Sequence, residues 1–116
     1  LLYGAWLGGD RGVMLMQSSG VGNCPNMLAS AITCRMPVLM LVTMRGEFGE
    51  FNPWQNPMGQ ATGAVLQAMG TQIVRLDDAE QTEDIVRGAI NMSFNGLAPL
   101  AVLIGQRMIG AKGFDQ

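Results

Sequence analysis

The chain has 116 residues, 48% of them apolar and 14% charged, with a net charge of −2 and no histidine. That length holds one domain with one core, and the low charge suits a sheet buried on both faces or a subunit with a large interface. The balance excludes a basic nucleic-acid-binding surface, and the missing imidazole removes the usual base of serine and cysteine hydrolases and the commonest zinc ligand.

Leu1 to Leu7 is apolar and closes on Gly8-Gly9, the pattern of a helix tail ending in a glycine cap. A bare Leu in mid-helix carries the expectation that polypeptide precedes it. Val13-Met14-Leu15-Met16 is four unbroken apolar residues, read as a buried strand. The polar bend from Gln17 to Asn23 follows, and Cys24-Pro25-Asn26 opens a helix, with Pro25 in the first turn, where its missing N–H is no loss. Gly20 and Gly22 leave no β-carbon to hold a ligand away from the backbone. The helix shows Met27, Leu28, Ala31 and Ile32 at helical spacing and ends by Pro37.

Val38 to Met44 is a second strand; the run from Met36 to Met44 is about half the roughly 20 residues of a membrane helix, and no signal segment is seen. A cytoplasmic protein is the expectation. Arg45 to Met58 is rich in Gly, Pro, Asn, Glu and aromatic residues, the longest irregular stretch and a candidate functional loop. A short helix marked by Ala61, Ala64, Val65, Ala68 and Met69 stops at Gly70, and Gln72 to Leu76 is a third strand. Asp78-x-x-Gln81 resembles a capping box before a helix with Ile85, Val86, Ala89 and Ile90 on one face, closed by Asn95-Gly96; Leu100 to Ile104 is a fourth strand. Alternating strands and helices predict an α/β fold, a doubly wound parallel sheet with helices on both faces. In such sheets ligands lie beyond the carboxyl ends of the strands, where the segments 17–23 and 45–58 both emerge.

The segment 17–23 lacks the third glycine of the dinucleotide fingerprint, which would stand at Pro25, and the chain has no P-loop lysine motif. Ser19-Gly20-Val21-Gly22-Asn23 instead resembles the S-G-x-G-N loop of the pyrimidine-binding domain of thiamine-diphosphate-dependent enzymes, most similar to sulfopyruvate and phosphonopyruvate decarboxylases. The likeness extends through Gly4-Ala5-Trp6-Leu7-Gly8-Gly9, Arg11-Gly12-Val13, Pro37-Val38-Leu39, Arg45-Gly46 and Gln55-x-Pro57-Met58-Gly59-x-Ala61-Thr62. It implies a thiamine-diphosphate-binding fold truncated at the N-terminus, with residues 1–116 as one pyrimidine-binding domain. It further implies thiamine diphosphate as cofactor, Mg²⁺ held by a separate diphosphate-binding domain or beta subunit, and a homo- or hetero-oligomer. Ser18, Ser19, Gly20, Val21, Gly22 and Asn23 would contact the cofactor, Gln55 would lie near the reacting end, and the activating glutamate would precede Leu1. The implied activity is non-oxidative decarboxylation of a 2-oxo acid, with the chain inactive alone. A non-catalytic flavodoxin-like assembly domain is the alternative.

Each residue also has a plainer reading. Asn23 can cap the following helix, and Ser18 and Ser19 can be turn residues. Arg45 can hold the anionic tail of a sulfonate or phosphonate, or form an ion pair. Glu47 and Glu50 resemble an acid pair, or are solvated on a mobile loop; Phe51 and Trp54 are interface residues or a stacking platform. Cys24, at a helix start, is a reactive thiol or a small core residue; with Cys34 ten residues on, both thiols are expected free.

Overall fold

The computed structural model describes residues 1–111. In chain order they form α1 (Leu2–Leu7), β1 (Val13–Gln17), α2 (Ser18–Val21), α3 (Pro25–Thr33), β2 (Val38–Thr43), α4 (Asn56–Ala68), β3 (Gln72–Leu76), α5 (Thr82–Gly96) and β4 (Pro99–Ile104). The strands make one all-parallel sheet in the order β1-β2-β4-β3. Val13 lies opposite Leu39, Val38 opposite Pro99 and Gln72 opposite Leu100. The expectation of an α/β fold, a parallel sheet with helices on both faces, therefore holds.

Successive residues of a strand face opposite sides, which splits β2 and β4 between two cores. Val38, Met40 and Val42 join Ala101 and Leu103 under Val21, Leu28, Ala31 and Leu66, contributed by α2, α3 and α4. Leu39, Leu100, Val102 and Leu76 pack on the other side against Ala89 and Phe94 of α5. Trp6 of α1 reaches that second core, its ring 5.7 Å from that of Phe94, while Leu2 and Tyr3 pack against the first.

Helix ends explain where the predicted boundaries shift. At α1 the amides of Gly9 and Asp10 return to the carbonyls of Trp6 and Ala5, with Gly9 left-handed at φ +95. The same paired closure ends α4 at Gly70. It also ends α3 at Arg35, ahead of Pro37, with Met36 N–H donating to the Ala31 carbonyl and Arg35 at φ +52. At α5 the left-handed residue is Leu97, φ +51; Gly96 is still helical, so Asn95-Gly96 does not form the cap. Asp78 caps a short 3-10 turn by accepting from the Glu80 amide, but the Gln81 side chain donates to the Asp78 carboxylate instead of accepting the Asp78 amide, so the capping box is only half formed.

Two expectations are corrected. The bend at 17–23 contains a helical turn, Ser18–Val21, which buries the side chains of Ser18 and Val21 completely. β1 is not buried on both faces: it is an edge strand, with Val13, Met14 and Leu15 exposed by 44%, 37% and 74%.

Candidate functional site at the carboxyl edge

The segments after β1 and β2 and the start of α4 meet beyond the carboxyl ends of the strands. The Ser18 side chain is wholly buried, and its Oγ accepts the Arg45 amide at 3.1 Å. The Thr62 hydroxyl, also buried, donates to the Met58 carbonyl at 2.7 Å and lies 3.5 Å from the Ser18 carbonyl. Gly59 sits against the backbone of Arg45: a β-carbon there would stand 1.8 Å from the Arg45 carbonyl oxygen. Only glycine lets α4 approach the β2 exit this closely. A β-carbon at Gly22 would lie 3.2 Å from Met58 Sδ, so the turn after α2 also abuts this helix.

The segment from Arg45 to Asn52 is latched by Glu50, whose side chain is 4% exposed. Its carboxylate accepts Arg45 Nε at 2.6 Å and Arg45 Nη2 at 2.5 Å, the amides of Gly46 and Asn52, and Gln106 Nε2 at 2.9 Å. Gln106, buried after β4, turns its Oε1 to the amides of Glu47 and Phe48. The Arg45 guanidinium holds the Glu50 carboxyl well below the usual carboxylate range; burial opposes this, and the Asn52 and Gly46 amides and Gln106 reinforce it. Glu50 in turn raises the Arg45 pKa. Glu47 pairs with Arg75, which also binds Asp77, and both acids raise the Arg75 pKa, Glu47 first. Glu47 and Glu50 are therefore bound structural carboxylates rather than solvated ones on a mobile loop. Gln106 was missed in the sequence, where nothing marks a lone Gln after a strand as a partner for residues 56 to 59 positions away.

The predicted site residues divide by exposure. Ser18 and Val21 are wholly buried, whereas Ser19, Gly22 and Asn23 are exposed and Gly20 is half-buried. Ser19 Oγ donates to Gln17 Oε1. Asn23 does not cap α3: the cap position is Cys24, without a side-chain cap bond. The side-chain amides of Asn23 and Gln55 have no hydrogen-bond partner among the described residues, and Asn23 lines an apolar groove beside β1 together with Cys24. Arg45 is engaged in the ion pair with Glu50, its guanidinium 5.5 Å from the Phe51 ring centre. Trp54 is 88% exposed. Cys24 and Cys34 are free thiols, and Cys24 Sγ donates to the Gly20 carbonyl at 3.4 Å. Across the carboxyl ends of β1, β2 and β4, Leu15, Met16, Leu41, Thr43 and Ile104 line a depression of about 370 Å³. No helix among the described residues is long and apolar enough to cross a membrane.

The domain gathers its latched loops at the carboxyl edge of its parallel sheet, the edge at which open α/β sheets bind their ligands, with an exposed glycine and free amide side chains beside them. The chain is homologous to sulfopyruvate and phosphonopyruvate decarboxylases. It is 31% identical to the sulfopyruvate decarboxylase alpha subunit of Methanococcus maripaludis over 102 residues, 87% of this chain and 61% of that subunit. Over 67 residues, 57% of this chain and 41% of the relative, it is 45% identical to the sulfopyruvate decarboxylase alpha subunit of Methanothermobacter thermautotrophicus. It is 33% identical to phosphonopyruvate decarboxylase of Streptomyces hygroscopicus in an alignment covering 97% of this chain and 29% of that enzyme. The chain thus spans about three fifths or less of the length of these relatives. No protein-family model matches it.

Proposed function

We propose that this chain supplies the aminopyrimidine-binding half of a thiamine-diphosphate-dependent decarboxylase acting on sulfopyruvate, phosphonopyruvate or a closely similar 2-oxo acid. The observation that carries this is the homology to a sulfopyruvate decarboxylase alpha subunit across 87% of the chain. Two features of the carboxyl edge support this reading. Gly22 is exposed and without a β-carbon, and the Asn23 amide is free to bond a heterocycle's nitrogen. Ser18 and Val21, wholly buried, act on the ligand only through the backbone they anchor. When bound, thiamine diphosphate supplies the electron sink that lets CO₂ leave a 2-oxo acid.

The residues of this chain then bind and orient. Asn23 fixes the ring's rotation, Gly20 and Gly22 allow close backbone approach, and the Ser18–Arg45 and Glu50–Gln106 bonds hold the neighbouring loops in place. Gln55, with its side-chain amide unpartnered, is the candidate for the reacting end. Arg45, already paired with Glu50, positions the loop. The role of exchanging a proton with the ring is not assigned to Glu47 or Glu50, each of which is held in an ion pair with an arginine. That role falls to a glutamate preceding Leu1 in a longer chain, and Mg²⁺ and the diphosphate to a partner domain or beta subunit. The alpha-subunit names of two relatives support such a partner.

The test is CO₂ release from sulfopyruvate and phosphonopyruvate. This chain alone should be inactive. The longer chain with its partner should be active, and changing the preceding glutamate to glutamine should lower turnover by roughly a hundredfold or more. Undiminished turnover in that variant, or turnover by this chain alone, would remove the reading.

A further inference from the structure

Gln106 follows β4 and is 7% exposed. Its Oε1 accepts the amides of Glu47 at 2.8 Å and Phe48 at 3.0 Å, and its Nε2 donates to Glu50 Oε2 at 2.9 Å. Two backbone N–H groups aimed at one side-chain atom require that atom to be the oxygen, which leaves the nitrogen to face the carboxylate. The position calls for an amide. An ionised carboxylate would set its charge against Glu50, and an apolar side chain would leave two backbone donors without an acceptor.

Glu50 passes this contact on to Gln55 by two routes. Its Oε2 also accepts the Gly46 amide at 3.1 Å. Gly46, at φ +71, lies so close to the start of α4 that a β-carbon on it would stand 2.6 Å from the Gln55 carbonyl oxygen and 2.7 Å from Asn56 Cα. The other oxygen, Oε1, accepts the Asn52 amide at 2.9 Å, and the Asn52 carbonyl accepts the Gln55 amide at 3.0 Å. Partners of Glu50 thus hold the Gln55 backbone from both sides. The same segment has attachments that do not involve Gln106, from Ser18 Oγ to the Arg45 amide and from Arg75 to Glu47. Losing the Gln106 side chain therefore loosens the shared carboxylate rather than the whole segment.

We propose that Gln106 is a positioning residue of the carboxyl-edge site: acting through Glu50, it fixes where Gln55 stands. Calling that place the reacting end rests on the decarboxylase reading. Displacing an orienting group by about 1 Å is enough to lower turnover, so disturbing Gln106 should lower kcat and leave KM little changed.

The experiment uses the longer chain with its partner as wild type, Gln106→Glu and Gln106→Leu. It reads hydrogen-exchange protection of the Glu47, Phe48 and Gln55 amides, and kcat and KM for CO₂ release. A glutamate at this position keeps the acceptor for both amides and, when protonated, the donor to Glu50. The charged groups around it are Arg45, Glu47 and Glu50 of the 45–52 segment, Arg75 and Asp77 at the end of β3, and Arg107 beside it. Glu50 is the one its carboxyl meets, and that charge together with burial favours the protonated form. Relative to wild type at the same pH, Gln106→Glu should recover Gln55 protection and kcat near about pH 5 and lose each by at least about tenfold near about pH 8, with KM within about threefold. Gln106→Leu should be low at both, while β2 and β4 amides stay protected in every protein. A Gln106→Glu protein whose ratio to wild type does not change with pH overturns the proposal, as does Gln55 protection that changes without kcat in an active complex, or loss of β4 protection in both variants. A wild-type complex that releases no CO₂ sinks the decarboxylase reading alone. The Gln55 amide of Gln106→Glu then supports the positioning role by following pH, and overturns it by failing to.

Discussion

Replacing Glu50 tests whether the segment after β2 is latched as described. Glu50→Ala removes the acceptor for two Arg45 donors, the Gly46 and Asn52 amides and Gln106 Nε2. Removing one partner of a buried pair costs about 3–5 kcal/mol. The Arg45 side chain is 24% exposed, so it regains water in the variant, and a loss of about 3 kcal/mol is expected. At a urea m-value of about 2 kcal/mol/M this moves the unfolding midpoint down by roughly 1.5 M. Glu50→Gln keeps an acceptor oxygen and should lose about half as much. The pH dependence has a definite sign. The folded carboxyl lies below its ordinary value, so its contribution is complete above the unfolded pKa of about 4.3 and is lost as pH falls through the folded value. Between pH 6 and pH 3 the gap between wild type and Glu50→Ala should narrow by about 2 kcal/mol. A variant within about 0.5 kcal/mol of wild type at pH 7, or a gap that does not change with pH, would refute the latch.

Gly59→Ala places a β-carbon 1.8 Å from the Arg45 carbonyl oxygen and should cost about 3 kcal/mol, lowering the melting temperature by roughly 10–20 °C. Gly63→Ala, whose added carbon meets only Ile73 Cδ1 at 4.0 Å, is the matched control and should be neutral or stabilising by up to about 1 kcal/mol. Ser18→Ala strips the Arg45 amide of its acceptor and should cost about 1–2 kcal/mol, with faster hydrogen exchange at that amide as the specific signature.

Local pattern was enough for what lies along the chain. Continuous apolar runs located three of the four strands to within a residue or two, the shorter apolar pattern of Gln72 to Leu76 located the other, and Pro25 and Gly70 marked a helix start and a helix end where the structure has them. What it could not reach was tertiary placement. Val13-Met14-Leu15-Met16 reads as a buried strand because its residues are those of a central strand, yet strand order alone decides that it lies at an edge. Arg35 and Leu97 end their helices in left-handed conformations that side chains disfavour, so no glycine signals either stop. The latch was invisible for another reason: Glu50 and Gln106 look like ordinary polar surface residues until β4 carries Gln106 alongside the 45–52 segment. Gly59 entered through the resemblance, and only the structure supplies its reason, the contact with the Arg45 backbone.

The claim that this chain provides only the pyrimidine-facing half of a shared site is tested most directly by titrating it with thiamine diphosphate in a calorimeter, with and without Mg²⁺, alongside Asn23→Ala. Asn23 has no side-chain bond to lose among the described residues, so the variant should keep its fold. The account predicts weak binding that Mg²⁺ does not strengthen and that Asn23→Ala weakens further. Tight, Mg²⁺-dependent binding to the isolated chain, unaffected by Asn23→Ala, would contradict it.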